Sequence, residues 1–564
     1  MTEPNPSTAL ARAVADELAR HRVSLAVISP GSRSAALAIA FDQHPGITTR
    51  VVIDERSAAF WALGHSRATG QPAVVLATSG TAVANHLPAL IEADQSLVPL
   101  ILLSADRPPE LLHVGANQTI DQVGLFGNKV RWFCNIGPAQ SGVDHNSYWR
   151  STVSQAVARA LGHGSRPGPV HLNIAFREPT VPVEDDGRSA ADPYPFTVEG
   201  RPGEGCWQQH VIARAGAATL KVPTGARGLV LAGEGEYEPE PLLAAANRLG
   251  WPVLATALSG LRGHATVSTY HHLLVSGVPS PLTPEMVVTI GRTGPSDRVS
   301  TLTSIDVPQV KIDRWGAWND PRRHATALLQ ADPVATLENL AVTVSAEPGW
   351  AGQWKAADRS MRSALDEAIG VGEQPTGASV ARALSDGSWE SLVAASSMPV
   401  RDVDAHTVHR GSIFANRGAS GIDGLVSTSL GVAAAGSRTV VLTGDLSLLH
   451  DANGFLSDQL PNAVFVVIDN NGGGLFDLLP QATHAPGFDR LFVTPHQRDL
   501  LGLAAFHGLD ATTVASVGEL GPELEQRLET GGCHLLVIPV DREADLKRRQ
   551  ALDEVARSVV TGIS

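Results

Sequence analysis

Residues 438–455 read RTVVLTGDLSLLHDANGF, and residues 463–481 read AVFVVIDNNGGGLFDLLPQ. In the first, an apolar strand ends at Thr443, turns on Gly444-Asp445 and runs on into a helix. In the second, a buried strand ends in two amides and three glycines. Each carries its polar group to the carboxyl end of a strand, where open α/β sheets bind ligands. A hard divalent cation takes oxygen ligands, and a carboxylate, an amide oxygen and a backbone carbonyl supply three of them. Helix N-termini beside both turns would add backbone N–H groups for an anion. A Gly-Asp turn or an Asn-Asn-Gly run alone is an ordinary loop signal. Joined at a spacing of about 25 residues, they point to a socket for a metal-bound diphosphate.

Working outward, 564 residues exceed what one core needs and suggest about three domains of roughly 100–200 residues each. Composition is that of a globular protein, with 43% hydrophobic and 18% charged residues. A net charge of −14 argues against nucleic acid and acidic lipid surfaces as partners. No apolar run approaches the roughly 18 residues of a membrane span, so no membrane insertion is expected. The N-terminus lacks the basic and hydrophobic regions of a signal peptide. Cys134, Cys206 and Cys533 are isolated, which suits a reduced, cytoplasmic setting better than a disulfide framework.

Apolar strand-like runs alternate with longer amphipathic segments throughout, which argues for α/β layers. A first block, 1–185, contains VSLAVISPGS, TTRVVIDERS, PAVVLATSGT, LVPLILLSAD and GPVHLNIAF as buried strands. Pro/Gly/Asp-rich sequence over 181–205 reads as a linker. A second block, 206–345, holds GLVLAGEGE, PVLATALSG and EMVVTIGR. Its Gly233-Glu234-Gly235 hints at nucleotide binding but lacks the third glycine of a dinucleotide fingerprint. A weakly structured stretch over 346–376 is expected before a third block, 355–564, that carries the diphosphate socket.

Glu55 lies in VVIDERSAAFWALGHSRATG, at a strand-to-helix junction. An acidic residue there ordinarily serves the helix macrodipole. Beside it stand ISPGSRSAALAIA, ILLSADRPPELLHVGANQTIDQ, NRGASGIDGLVSTSLGVA, GDLSLLHDANG and NNGGGLFDLLPQ. Together these stretches resemble the thiamine-diphosphate-dependent enzymes, and within them the menaquinone-pathway branch. In that branch GDLS is the form of the metal motif, which accounts for Leu446 where most such enzymes have glycine. The resemblance covers the first and third blocks and is weaker in the middle.

The resemblance implies three doubly wound α/β domains with largely parallel sheets: pyrimidine-binding (1–185), central (206–345) and diphosphate-binding (355–564). It implies thiamine diphosphate with Mg²⁺ or Mn²⁺, and 2-oxoglutarate and isochorismate as substrates. 2-Oxoglutarate would be decarboxylated on the cofactor, and the succinyl-semialdehyde carbanion added to isochorismate. Glu55 would hydrogen-bond the aminopyrimidine and favour the tautomer that removes the thiazolium proton. Ile422 would bend the cofactor, while Gly444, Asp445, Leu446, Ser447, Asn470 and Gly472 would hold its diphosphate. Of these, Asp445, Asn470 and the Gly472 carbonyl would ligate the metal, with Asn471 as the alternative amide because Asp469 stands where a third asparagine is common.

Both substrates are dicarboxylates, which suits the fork of arginine donors. Arg33, Arg107, Arg401 and Arg417 occupy matching motif positions, and such a set argues against a small neutral acceptor. Ser32, before Arg33, would contact an isochorismate carboxylate, and Ser397, four residues before Arg401, resembles the substrate-site serine, although SSMPVR departs from the more usual spelling. Asn117 and Gln118 would touch the substrate, and Gln118 and Arg107 would join Glu55 in catalysis. Leu475, Phe476 and Leu479 would wall the pocket, on what otherwise reads as an amphipathic helix face. GRTGPSDR departs from the cationic substrate loop of better-known members, and Arg292 would be the residue to substitute there. The active sites would lie at subunit interfaces of a homodimer or homotetramer.

Overall fold

A computed structural model describes residues 5–140, 145–182, 199–212, 215–220, 222–223, 225–370 and 374–563. Most of the linker expected at 181–205 lies outside these residues. The chain forms two compact units, one of 1–212, 416–437 and 447–462, the other of 213–415, 438–446 and 463–564.

In the first unit, six parallel strands form one sheet: β1 (Leu25–Ile28), β2 (Thr48–Val51), β3 (Ala73–Ala77), β4 (Leu100–Asp106), β5 (Trp132–Ile136) and β6 (Pro169–Ala175). Their order is β2-β1-β3-β4-β6-β5. Strands β1, β3, β4 and β6 are buried throughout, as strands covered on both faces are; β1 and β3 are wholly apolar, whereas β4 and β6 carry buried polar residues that bond one another. β2, expected to be buried, is an edge strand whose residues are partly or fully exposed.

The helix Glu55–Thr69 starts at Asp54, whose carboxylate accepts the N–H groups of Arg56 and Ser57, and stops at Gly70 in the left-handed conformation. It crosses the helix Leu425–Ala433 closely enough to require glycine on both sides. A Cβ on Gly64 would sit 2.0 Å from the Thr428 carbonyl oxygen, and one on Gly431 would sit 2.0 Å from that of Trp61.

The second unit holds two sheets. The central one contains β7 (Gly228–Ala232), β8 (Val253–Ala255), β9 (Met286–Ile290), β10 (Gln309–Asp313) and β11 (Ala327–Gln330), in the order β11-β10-β9-β7-β8. The other contains β12 (Ser391–Ala394), β13 (Ser412–Phe414), β14 (Thr439–Gly444), β15 (Ala463–Asp469), β16 (Asp510–Thr513) and β17 (Cys533–Pro539), in the order β13-β12-β14-β15-β17-β16. This last order repeats that of the first unit's sheet strand for strand, and every pairing in all three sheets is parallel.

The stretch expected to be weakly structured is instead largely the 20-residue helix Trp350–Ile369. Its buried stripe of Trp350, Trp354, Ala357, Met361, Leu365 and Ile369 follows helical spacing and joins the central core beside Leu552 and Ala556. Met361, Leu365 and Ile369 each contribute roughly 1.5–3 kcal/mol on leaving water. Among the described residues no helix is long and apolar enough to cross a membrane.

Candidate active site

Strand order reverses beside β1 in the first unit and beside β12 in the second, and ligands of open α/β sheets bind outside the carboxyl ends of strands at such points. The sequence-predicted residues gather at these ends, in two sets.

In the first unit, Ser32 and Arg33 follow β1 in the turn that leads to the helix Ala35–Asp42. Ser32 is exposed, whereas Arg33 is 6% exposed. Arg33 Nη1 donates to the Phe176 carbonyl at 3.0 Å, and Nη2 lies 3.1 Å from the exposed Glu178 carboxylate. Burial and the neighbouring Arg107 guanidinium lower the Arg33 pKa, against the pull of Glu178. Among the described residues, the buried Nε of Arg33 and that of Arg107 find no hydrogen-bond partner. Two neighbouring cations with donors to spare suit a planar anion.

Arg107 follows β4, and its N–H donates to Asp106 Oδ1 at 2.7 Å. A buried polar network fixes this strand end. Asn173 Nδ2 donates to Asp106 Oδ2 at 2.7 Å, and Gln122 Nε2 donates to Asn173 Oδ1 at 2.8 Å. Gln122 Oε1 then accepts the Gly80 N–H at 2.9 Å, while burial raises the Asp106 pKa. Gln118 sits at φ 52° and exchanges hydrogen bonds of 2.9 Å with Ser79, through its carbonyl and its Nε2. Asn117 beside it is exposed.

Glu55 opens its helix, and its Oε2 lies 3.4 Å from Asn85 Nδ2. The start of this helix is bolted to the segment after GDLS by a residue that sequence reasoning missed. Asp451 is fully buried; Oδ1 accepts the Ser57 hydroxyl at 3.0 Å, and Oδ2 accepts the N–H and hydroxyl of Ser427, each at 2.8 Å. Burial raises its pKa, against these donors. Arg417, Ile422 and Ser447 belong to the same unit; Arg417 and Ile422 are half-buried in the turn before the helix Leu425–Ala433, and Ser447 is buried.

In the second unit, Ser397 ends the turn after β12 at φ 74°, and its carbonyl accepts a hydrogen bond from Arg401 Nη1. Next to β12, β14 delivers Gly444 and Asp445. Asp445 is 2% exposed, and burial pushes its carboxyl pKa up, against the N–H groups around it. Oδ1 accepts the Leu446 N–H at 2.6 Å, and Oδ2 accepts the Gly472 N–H at 2.8 Å.

That second bond seats the DNNGGG turn against the aspartate. Asn471 takes φ 58°, which asparagine tolerates, and its Oδ1 accepts the Gln497 N–H at 2.8 Å. Gly472 takes φ 142°, and a Cβ there would meet the Val493 carbonyl oxygen at 2.2 Å, so only glycine fits. Asn470 packs over Gly474, where a Cβ would come within 2.6 Å of Nδ2. Asp469 Oδ1 accepts the Asn471 N–H at 3.2 Å. His496, also missed by sequence reasoning, places Nε2 3.1 Å from Asp445 Oδ2. Ligand atoms of Asp445, Asp469 and His496 all lie within 4.8 Å of one another.

Leu475 and Phe476 lie in the 3₁₀ turn Gly474–Leu478, with Leu479 as its cap, rather than on an amphipathic α-helix. Phe476 packs against Phe492 at 5.6 Å between ring centres, and Leu479 is 36% exposed. The central sheet differs from the other two. Its reversal point is closed by paired backbone bonds between Glu234 and Arg292, reinforced by their ion pair. Arg292 is therefore engaged by Glu234 within that sheet.

The buried Asp445 carboxylate, with Asp469 close by and the amide-bearing DNNGGG turn seated on it, offers oxygen donors of the kind that fit a divalent cation carrying a diphosphate. With Glu55 at a strand-to-helix junction of a second sheet of the same order, these features define the class of thiamine-diphosphate-dependent enzymes. Residues 8–125 match the family model described as "Thiamine pyrophosphate enzyme, N-terminal TPP binding domain". The chain is 41% identical over 572 residues to a 2-succinyl-5-enolpyruvyl-6-hydroxy-3-cyclohexene-1-carboxylate synthase of Thermobifida fusca, covering 99% of this chain and 100% of that one. Proteins of the same name from Halobacterium salinarum (38%, all of both chains) and Chloroflexus aurantiacus (39%, 95% of this chain and 94% of that one) are similar. The chain belongs to the 2-succinyl-5-enolpyruvyl-6-hydroxy-3-cyclohexene-1-carboxylate synthase family.

Proposed function

We propose that the protein decarboxylates 2-oxoglutarate and joins the remaining four-carbon unit to isochorismate, releasing CO₂ and forming 2-succinyl-5-enolpyruvyl-6-hydroxy-3-cyclohexene-1-carboxylate for menaquinone biosynthesis. The observation that carries this reading is full-length similarity to synthases of that name, joined to an intact Glu55 and Asp445. Thiamine diphosphate, when bound, supplies the electron sink that makes loss of CO₂ feasible.

The chain's own residues have the remaining tasks. Asp445, one amide of the Asn470-Asn471 pair and a carbonyl of the glycine run beginning at Gly472 hold Mg²⁺ or Mn²⁺. Gly444, Leu446 and Ser447 line the diphosphate, and Ile422 supports the cofactor's bent form. Glu55 holds a proton at the aminopyrimidine. Arg33 and Arg107, with Ser32, Asn117 and Gln118, bind carboxylates of the acceptor; their unspent Nε donors support this. Arg401 and Arg417, with Ser397, orient the second substrate beside Leu475, Phe476 and Leu479.

The test is an assay of purified protein with thiamine diphosphate, Mg²⁺, 2-oxoglutarate and isochorismate, following isochorismate loss and product mass. Product requiring all four is expected. Decarboxylation without isochorismate consumption would mean a different acceptor.

The family resemblance also supports a homodimer, or a dimer of dimers, in which each site takes Glu55 from one chain and Asp445 from another. Ile53, Val114 and Val123 of the first unit are each more than half exposed, as residues covered by a second copy would be in a single chain. Mixing inactive Glu55→Gln and Asp445→Ala chains under subunit exchange should then restore activity. Each mixed dimer regains one intact site, so random pairing gives a quarter of the wild-type value. No recovery despite verified exchange would place both residues of a site on one chain.

A further inference from the structure

We propose that His496 sets which divalent cation the cofactor site accepts, by leaving Asp445 a single lone pair for metal; the inference rests on the reading of Asp445 as a metal ligand. The direction of the His496–Asp445 hydrogen bond follows from the other ring nitrogen. His496 Nδ1 accepts the Arg498 N–H at 3.0 Å. The neutral imidazole therefore carries its proton on Nε2 and donates it to Asp445 Oδ2, 3.1 Å away. An imidazolium would set a second proton against the Arg498 N–H. A nitrogen that points its proton at Asp445 offers no lone pair to an ion. His496 thus acts on the carboxylate instead of joining the metal shell, although one of its ring nitrogens lies within 4.8 Å of an Asp469 carboxylate oxygen.

An ionised carboxylate has about four lone-pair positions. Leu446 N–H takes one on Oδ1, and Gly472 N–H and His496 Nε2–H take both on Oδ2. What remains lies on Oδ1, so Asp445 binds a cation through one oxygen. Mg²⁺, small and octahedral, accepts a one-oxygen carboxylate with waters and phosphate oxygens, whereas Ca²⁺ takes more ligands and readily uses both oxygens. The loop that presents His496 is held in place for this. Thr494 and Gln497 both sit at φ 50°, and the Gln497 N–H is tied to Asn471 Oδ1 at 2.8 Å. His496 is a positioning residue.

The experiment measures thiamine diphosphate binding by calorimetry, on full-length chelator-treated protein with Mg²⁺ or Ca²⁺ as the added cation. It compares wild type, His496→Ala and His496→Gln, whose amide restores a donor; a thermal melt checks folding. For His496→Ala, the ratio of Mg²⁺-supported to Ca²⁺-supported affinity should fall about tenfold, the lower end of what loss of a ligand's supporting partner costs. His496→Gln should recover most of that ratio. An unchanged ratio in His496→Ala, whether both affinities persist or both fall alike, overturns the proposal, the latter showing a loop anchor only. If wild type binds the cofactor equally well in chelator alone, the metal reading of Asp445 fails first, and the proposal with it.

Discussion

Glutamine in place of Glu55 should leave folding and cofactor affinity intact while slowing exchange of the thiazolium carbon-bound proton by about 10²–10⁴-fold, the usual contribution of a positioned acid–base group. The helix does not depend on this carboxylate for its start, because Asp54 supplies the cap. A first-turn acid adds only about 0.3–1 kcal/mol through the macrodipole, and the 3.4 Å approach to Asn85 is a weak contact. Glutamine keeps the length and shape of the side chain, but its amide can only donate a hydrogen bond to a ring nitrogen and cannot give up a proton to it. Quenched-flow deuterium exchange followed by NMR of the extracted cofactor reads the effect. Wild-type exchange rates in the variant would remove Glu55 from its assigned role.

Asp445→Ala should act on binding instead. Removing one partner of a buried charge pairing typically costs about 3–5 kcal/mol, which predicts a loss of about 10²–10⁴-fold in Mg²⁺-dependent cofactor affinity. The alanine also leaves the Gly472 N–H and the imidazole Nε2 without their acceptor, so the DNNGGG turn loses its seat. Calorimetric titration with and without Mg²⁺ checks this. Affinity equal to wild type, with the same metal dependence, would refute the socket. The two variants therefore separate cleanly: one binds without turning over, the other fails to bind.

Central strands were legible where apolar residues dominate them, as LILL does in β4 and AVFVVI in β15. β10 was not, since QVKID carries Gln309 and Lys311, both under 10% exposed, and a polar residue at a buried position disguises the period. Lys311 is accommodated by Asp320, 3.7 Å away. The helix Trp350–Ile369 was hidden by the Gly, Gln, Lys and Asp residues of its outer face, although its inner stripe follows regular spacing. Glu55, Asp445 and the Asn-Asn-Gly turn were legible as candidates because each stands in a short stretch of sequence that leaves the end of a strand. His496 did not: it stands 51 residues beyond Asp445, and only the folded loop brings it there. Asp451 was invisible for a similar reason, its partner Ser57 being 394 positions away.

The first unit is assembled from residues 1–212, 416–437 and 447–462. During synthesis its N-terminal sheet emerges long before the helix Leu425–Ala433 exists. Until then the face of Glu55–Thr69 around Trp61 and Gly64 has no cover. The chain must be translated through Ala433 before that surface closes, so the nascent chain presents it throughout the synthesis of everything between the two helices. A fragment ending at residue 212 would inherit the same exposed face permanently. Transiently exposed apolar surface of this kind is aggregation-prone in general, and the finished structure, with that face buried, gives no sign of it.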